Sequence, residues 1–251
     1  MEEHQILGSP RVDSPIVLFF HGSGASCSSW VELAELLSPE YCVLLYHRGP
    51  RNPKPKDAVS EMKEFLSRQK LPPPYVLVAH SYGGNIAREF LQRYAGEVCG
   101  MVLVETGQET ALDPAMEEKQ YRQQILGEKP LSVIRGNSMK FKVLDLEARL
   151  ERCESDAAKE EMRQSPDYVL MKKWDEEDEK LKKRQLDLSR NTHYVHLPDS
   201  GHDVIRDRPD VVAQEVSWVM EEIAAAAVSK GSDSGGRFGG VVRSFRGLFT
   251  K

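Results

Sequence analysis

The chain has 251 residues, 40% of them apolar and 29% charged, with a formal net charge of −5. That length suffices for one large α/β domain with a substantial core, and an acidic body argues against nucleic acid as the main partner. No apolar run reaches the roughly 18 residues of a membrane-spanning helix, and the acidic start Met1-Glu2-Glu3-His4 lacks the apolar segment of a secretory signal, so a cytoplasmic setting is expected.

Along the chain, apolar runs alternate with helical patterns. Strands are predicted over 15–20, 41–46, 75–79, 100–104, 131–135 and 192–197. Helices are predicted over 28–37, 56–70, 83–94 and 114–126, with 209–227 last. Such alternation predicts a mostly parallel, doubly wound sheet with helices on both faces. The stretch 137–191 interrupts it, being long, charged and helical by composition. Within it, Glu176–Lys180, Asp178–Lys182 and Glu179–Lys183 are i,i+4 pairs in the favourable order, which reads as a solvated helix laced with surface pairs. The four cysteines, Cys27, Cys42, Cys99 and Cys153, show no C-x-x-C spacing and read as reduced thiols.

The most informative segment is Ala79-His80-Ser81-Tyr82-Gly83-Gly84, which follows the apolar run Tyr75-Val76-Leu77-Val78 and opens a helical pattern. A serine on a strand-to-helix turn, with small residues two places before and two after, reads as a nucleophile elbow. The segment is A-x-S-x-G, one methyl away from the usual G-x-S-x-G. Two companions occur in order. Upstream, Ile16-Val17-Leu18-Phe19-Phe20 runs into His21-Gly22-Ser23-Gly24. Downstream, Tyr194-Val195-His196-Leu197 runs into Ser200-Gly201-His202-Asp203. With these three motifs in this order, the chain resembles an α/β-hydrolase of the serine type over about residues 5–228. The resemblance implies a domain over 1–228 with a helical cap or insertion at 137–191 before the last strand. It also implies a short antiparallel opening, His4-Gln5-Ile6-Leu7.

The resemblance implies a role for each motif. Ser81 is the expected nucleophile and His202 its general base. The backbone N–H groups of Tyr82 and Ser23 are the expected oxyanion donors. Trp30 matches an aromatic that often lines the substrate pocket, although core packing explains it equally well. The orienting acid departs from the common pattern. Many relatives place Asp just after the strand that here reads Leu131-Ser132-Val133-Ile134-Arg135, but Gly136-Asn137-Ser138-Met139 follows. A minority take the acid from the preceding strand, which here ends in Glu105. Glu105 is therefore the expected acid, with Asp145 and Asn137 as alternatives.

The implied activity is cleavage of a small-molecule carboxylic ester or thioester through an acyl-enzyme. The rivals are a receptor-like member of the fold that binds without turnover and a lyase using the same residues. No metal or nucleotide signature appears, and no cofactor is expected. Gly83-Gly84 is not a phosphate loop, because no Gly-Lys-Ser/Thr follows. Residues 229–251 carry Lys230, Arg237, Arg243, Arg246 and Lys251 against Asp233, a net +4. This segment reads as a flexible basic tail, with Gly and Ser over 231–236 and apolar residues at helical spacing from Phe238 to Phe249. A weak membrane-surface contact is expected through it.

Overall fold

The computed structural model describes residues 4–12, 14–48, 52–107 and 112–233. The chain opens with β1 (Gln5–Leu7) and β2 (Ile16–Phe20), then a 3-10 turn (Cys27–Trp30) leading into α1 (Val31–Leu37). Next come β3 (Cys42–Leu45), α2 (Pro55–Arg68), β4 (Tyr75–His80), α3 (Gly83–Tyr94) and β5 (Val98–Val104). After α4 (Pro114–Gln123) and β6 (Leu131–Arg135), the excursion contains α5 (Lys140–Glu151), α6 (Asp156–Arg163), α7 (Pro166–Arg184) and a second 3-10 turn (Gln185–Leu188). The chain closes with β7 (Thr192–His196), α8 (Val204–Asp207) and α9 (Pro209–Asp233).

These strands form one sheet in the order β1-β3-β2-β4-β5-β6-β7. All pairings are parallel except β1 with β3, where Ile6 faces Leu44. Strand alternation divides the core between the two faces. Leu18, Leu77, Ala79 and Leu103 point toward α2 and α3, packing with Met62, Ile86 and Phe90. Val17, Val76, Val78 and Val102 point the other way, toward Leu33 of α1 and Val212 and Val216 of α9. Near-continuous apolar strands are what a sheet buried on both faces requires.

Two expectations change. The expected solvated helix is α7. Its start is built as expected, with Pro166 in the first turn and the Ser165 hydroxyl accepting the Tyr168 N–H. Glu179–Lys183 is a surface pair at 2.6 Å, and Lys180 pairs with Glu177, one residue short of the expected Glu176. Asp178 and Lys182, however, are fully buried and bonded to each other at 2.9 Å. The cause is Arg135 at the end of β6, which draws that face of α7 inward. The last helix also runs to Asp233, past the expected end at 227 and into the expected Gly/Ser linker. Residues 234–251, most of the expected tail, lie outside the described residues.

Candidate active site

β4 ends in the sheet centre, and the chain turns at once into α3. Ser81 occupies that turn with φ +50°, a left-handed conformation that non-glycine residues seldom adopt. Its N–H bonds the Val104 carbonyl of β5 at 3.2 Å, and its carbonyl accepts from Gly84 at 2.8 Å. The turn is possible because Gly83 has no side chain. A Cβ there would lie 1.9 Å from the Phe20 carbonyl oxygen. Ser81 thus stands at the N-terminus of α3, whose dipole favours nearby negative charge.

Glu105 follows β5 and also adopts a left-handed φ of +50°. It is fully buried, and both of its oxygens are engaged. Oε2 lies 3.1 Å from His202 Nδ1, and Oε1 accepts the Gly136 N–H at 2.7 Å. Just after β6, where the resemblance predicts an acid, this chain supplies a backbone amide that binds the carboxylate of the neighbouring strand. Gly136 permits the approach, since a Cβ would stand 2.4 Å from the Gly201 carbonyl oxygen. The adjacent Asn137 N–H bonds the Ser200 carbonyl at 2.7 Å and ties the His202 loop to the end of β6. Asp145 is exposed on α5 beside Arg149, and the Asn137 amide reaches the Pro198 carbonyl. Asp145 thus lies on the surface, and Asn137 is bonded to the loop that precedes His202.

Beside Ser81, the His80 ring lies 4.8 Å from the His202 ring, and its Nε2 bonds the His202 carbonyl at 2.8 Å. Burial, then the nearby His202, push His80 down to about 4, so the ring is neutral near pH 7. The loop after β2 is gripped by Arg48, which donates to the carbonyls of His21 and Gly22 at 3.0 Å each. Because a trans peptide points its N–H opposite its C=O, fixing the Gly22 carbonyl also fixes the direction of the Ser23 N–H. The exposed Ser23 hydroxyl accepts from Asn52. The Tyr82 hydroxyl bonds the Pro53 carbonyl at 2.8 Å, and Arg48 lies 5.5 Å from its ring centre.

Trp30 is 1% exposed and packs on Phe19, as the core reading allows. It also borders a cleft of about 210 Å³ shared with His80 and Asp203. A larger cleft, about 560 Å³, starts at Lys54 next to Pro53 and is lined by Glu89, Leu112 and Met116. Among the described residues, no group of three His, Cys, Asp or Glu side chains is arranged to hold a metal ion. No described helix is long and apolar enough to cross a membrane.

Two features were missed in the sequence. Arg48 stands in Tyr46-His47-Arg48 directly after β3, where a basic residue at a strand's carboxyl end was the available signal. Lys182, for which i,i+4 spacing alone predicts a surface position, is buried.

The profile described as the Alpha/beta hydrolase family matches residues 17–215, and the chain belongs to that family. Among curated relatives, it is 24% identical over 282 residues to "Probable transporter efuK" of Hormonema carpetanum, covering 84% of this chain and 40% of that protein. It is 30% identical over 115 residues to "Protein phosphatase methylesterase 1" of Mus musculus, covering 40% of this chain and 30% of that one. The chain thus spans less than half the length of both. Among solved structures, a thermophilic esterase from Thermogutta terrifontis superposes with a TM-score of 0.53 at 17% identity, covering 88% of this chain and 93% of that one. That likeness bears on the fold.

Proposed function

We propose that this protein is a serine hydrolase that cleaves a carboxylic ester or thioester through an acyl-enzyme. The observation that carries the reading is the 3.1 Å contact between buried Glu105 and His202 Nδ1, made beside a serine on a strained strand-to-helix turn. With Nδ1–H directed at Glu105, Nε2 is the basic nitrogen that serves Ser81. Ser81 Oγ bonds to the substrate carbonyl carbon as its proton passes to His202. The oxyanion is met by the N–H groups of Tyr82 and Ser23. The carbonyl re-forms, the bond to the alcohol or thiol breaks, and His202 returns its proton to that leaving group. Water then repeats the sequence on the acyl-Ser81 ester, with His202 again as base.

The receptor-like alternative drew on the lack of a carboxylate after β6. The engagement of Glu105 at His202 Nδ1 supports the hydrolase reading over it. A fluorophosphonate should label Ser81, and Ser81→Ala should abolish both labelling and turnover across a panel of esters and thioesters of graded acyl length. Stoichiometric labelling elsewhere, or undiminished turnover in Ser81→Ala, overturns the assignment.

A further inference from the structure

A chain of buried charges runs from the candidate site into α7. Lys182 has no exposed surface, and its Nζ lies 2.9 Å from Asp178 Oδ1 and 3.9 Å from Glu105 Oε1. Asp178 Oδ2 accepts from Arg135 Nε at 2.9 Å. Arg135 also donates to the Asp175 carboxylate and to the Asp175 carbonyl. Burying a lysine is strongly unfavourable unless it is paired, so this one is held by what it faces. Arg135 has Asp178, Asp175 and, at 3.9 Å, Glu179 as partners for docking α7 on β6. Lys182 pairs with Asp178, and its second carboxylate is Glu105. At 3.9 Å it is beyond hydrogen-bond range and acts as a point charge.

We propose that Lys182 is a positioning residue for the reaction, delivered by the insertion to the acid of the site. This rests on the hydrolase reading above. The Gly136 N–H and the Lys182 charge hold Glu105 from the Oε1 side, so Oε2 stays aimed at His202 Nδ1. Undocking of α7 would withdraw that charge, which makes the insertion part of the catalytic apparatus. Sequence spacing gives no sign of this link, since Lys182, on the last turn of α7, lies more than 70 residues beyond Glu105.

The test combines fluorophosphonate labelling rates at Ser81 with steady-state ester hydrolysis for wild type, Lys182→Met, Lys182→Gln, Lys182→Arg, Glu105→Gln and the double variant Lys182→Met/Glu105→Gln. Both neutral variants should lower kcat and the labelling rate by about 10- to 100-fold, since a misplacement of about 1 Å can cost about 100-fold, with KM little changed. Lys182→Arg should recover part of the rate. In the Glu105→Gln background, Lys182→Met should cause almost no further loss, because the two residues act through one interaction. Wild-type rates in the neutral variants, a loss confined to KM, or a full additional loss in the double variant overturns the proposal. So does failure of both neutral variants to fold while Lys182→Arg folds, which would make the charge purely structural. Absence of labelling in the wild type is a different result: it overturns the hydrolase reading, and this inference with it.

Discussion

At the scale of single residues, Glu105 and His80 hold His202 from two sides. Glu105 takes the ring at Nδ1, and His80 takes the His202 backbone carbonyl. Glu105→Gln preserves shape but presents an amide in place of the carboxylate, so it can favour the wrong tautomer. The corresponding acid-to-amide change in a serine protease lowers kcat by about 10⁴, and a loss of 10³-fold or more is expected here in steady-state ester hydrolysis. A loss under tenfold would remove Glu105 from its role. His80 makes a separate prediction about stability. Its folded value of about 4 lies below the ordinary 6.5, so between those pH values the unfolded chain binds a proton that the folded chain excludes. Its neutral burial is therefore fully compatible with folding above pH 6.5. Stability declines as the pH falls below 6.5 and levels near pH 4. At pH 5 the loss is on the order of 2 kcal/mol. Urea denaturation at pH 7 and pH 5 should show a smaller difference for His80→Gln than for wild type, and equal differences would sink the assignment.

At the scale of elements, the site is built where β2, β4, β5 and β6 end, the carboxyl edge at which open α/β sheets place their ligands. Two glycines there should respond differently to a methyl group. In Gly83→Ala the new Cβ meets the Phe20 carbonyl oxygen at 1.9 Å, and that oxygen belongs to a central strand with no room to retreat. A loss of about 3 kcal/mol or more, or failure to fold, is expected in thermal unfolding. In Gly22→Ala the contacts are 3.1 Å to His80 Nδ1 and 3.2 Å to Ser81 Cβ, which a small shift relieves. That variant should fold, yet label slowly, because the groups that shift adjoin the nucleophile. Strands and elbow were legible in the sequence because each rests on local facts: apolar runs, a serine between small residues, glycine where a side chain would collide. The expectation for Glu105 rests on an absence, the missing acid after Arg135, and the structure sets that carboxylate 3.1 Å from His202 Nδ1. The burial of Asp178 and Lys182 was not legible, because i,i+4 spacing is the same on a wet face and a dry one. Only the position of Arg135 beneath α7 decides between them. Arg48 escaped for the same reason: its partners, the carbonyls of His21 and Gly22, are distant in sequence and have no side-chain signature.

At the scale of the whole molecule, charge is divided unequally along the chain. Residues 234–251 carry Arg237, Arg243, Arg246 and Lys251 with no acid, so removing their +4 from the total of −5 leaves −9 on residues 1–233. An anionic surface repels the body by its net charge and attracts this segment. Each basic residue near an anionic membrane contributes about 1 kcal/mol, so four give a marginal attachment that salt should weaken. The full chain is expected to sediment with vesicles rich in anionic lipid at low ionic strength and to remain in solution at high ionic strength. Truncation after Asp233, the last described residue of α9, should abolish sedimentation and leave hydrolysis of a small soluble ester unchanged. If the full chain ignores such vesicles even at low salt, the surface contact is wrong. If truncation instead removes activity, residues 234–251 belong with the domain and its chemistry, because the elements that carry Ser81, Glu105 and His202 all lie before Asp233.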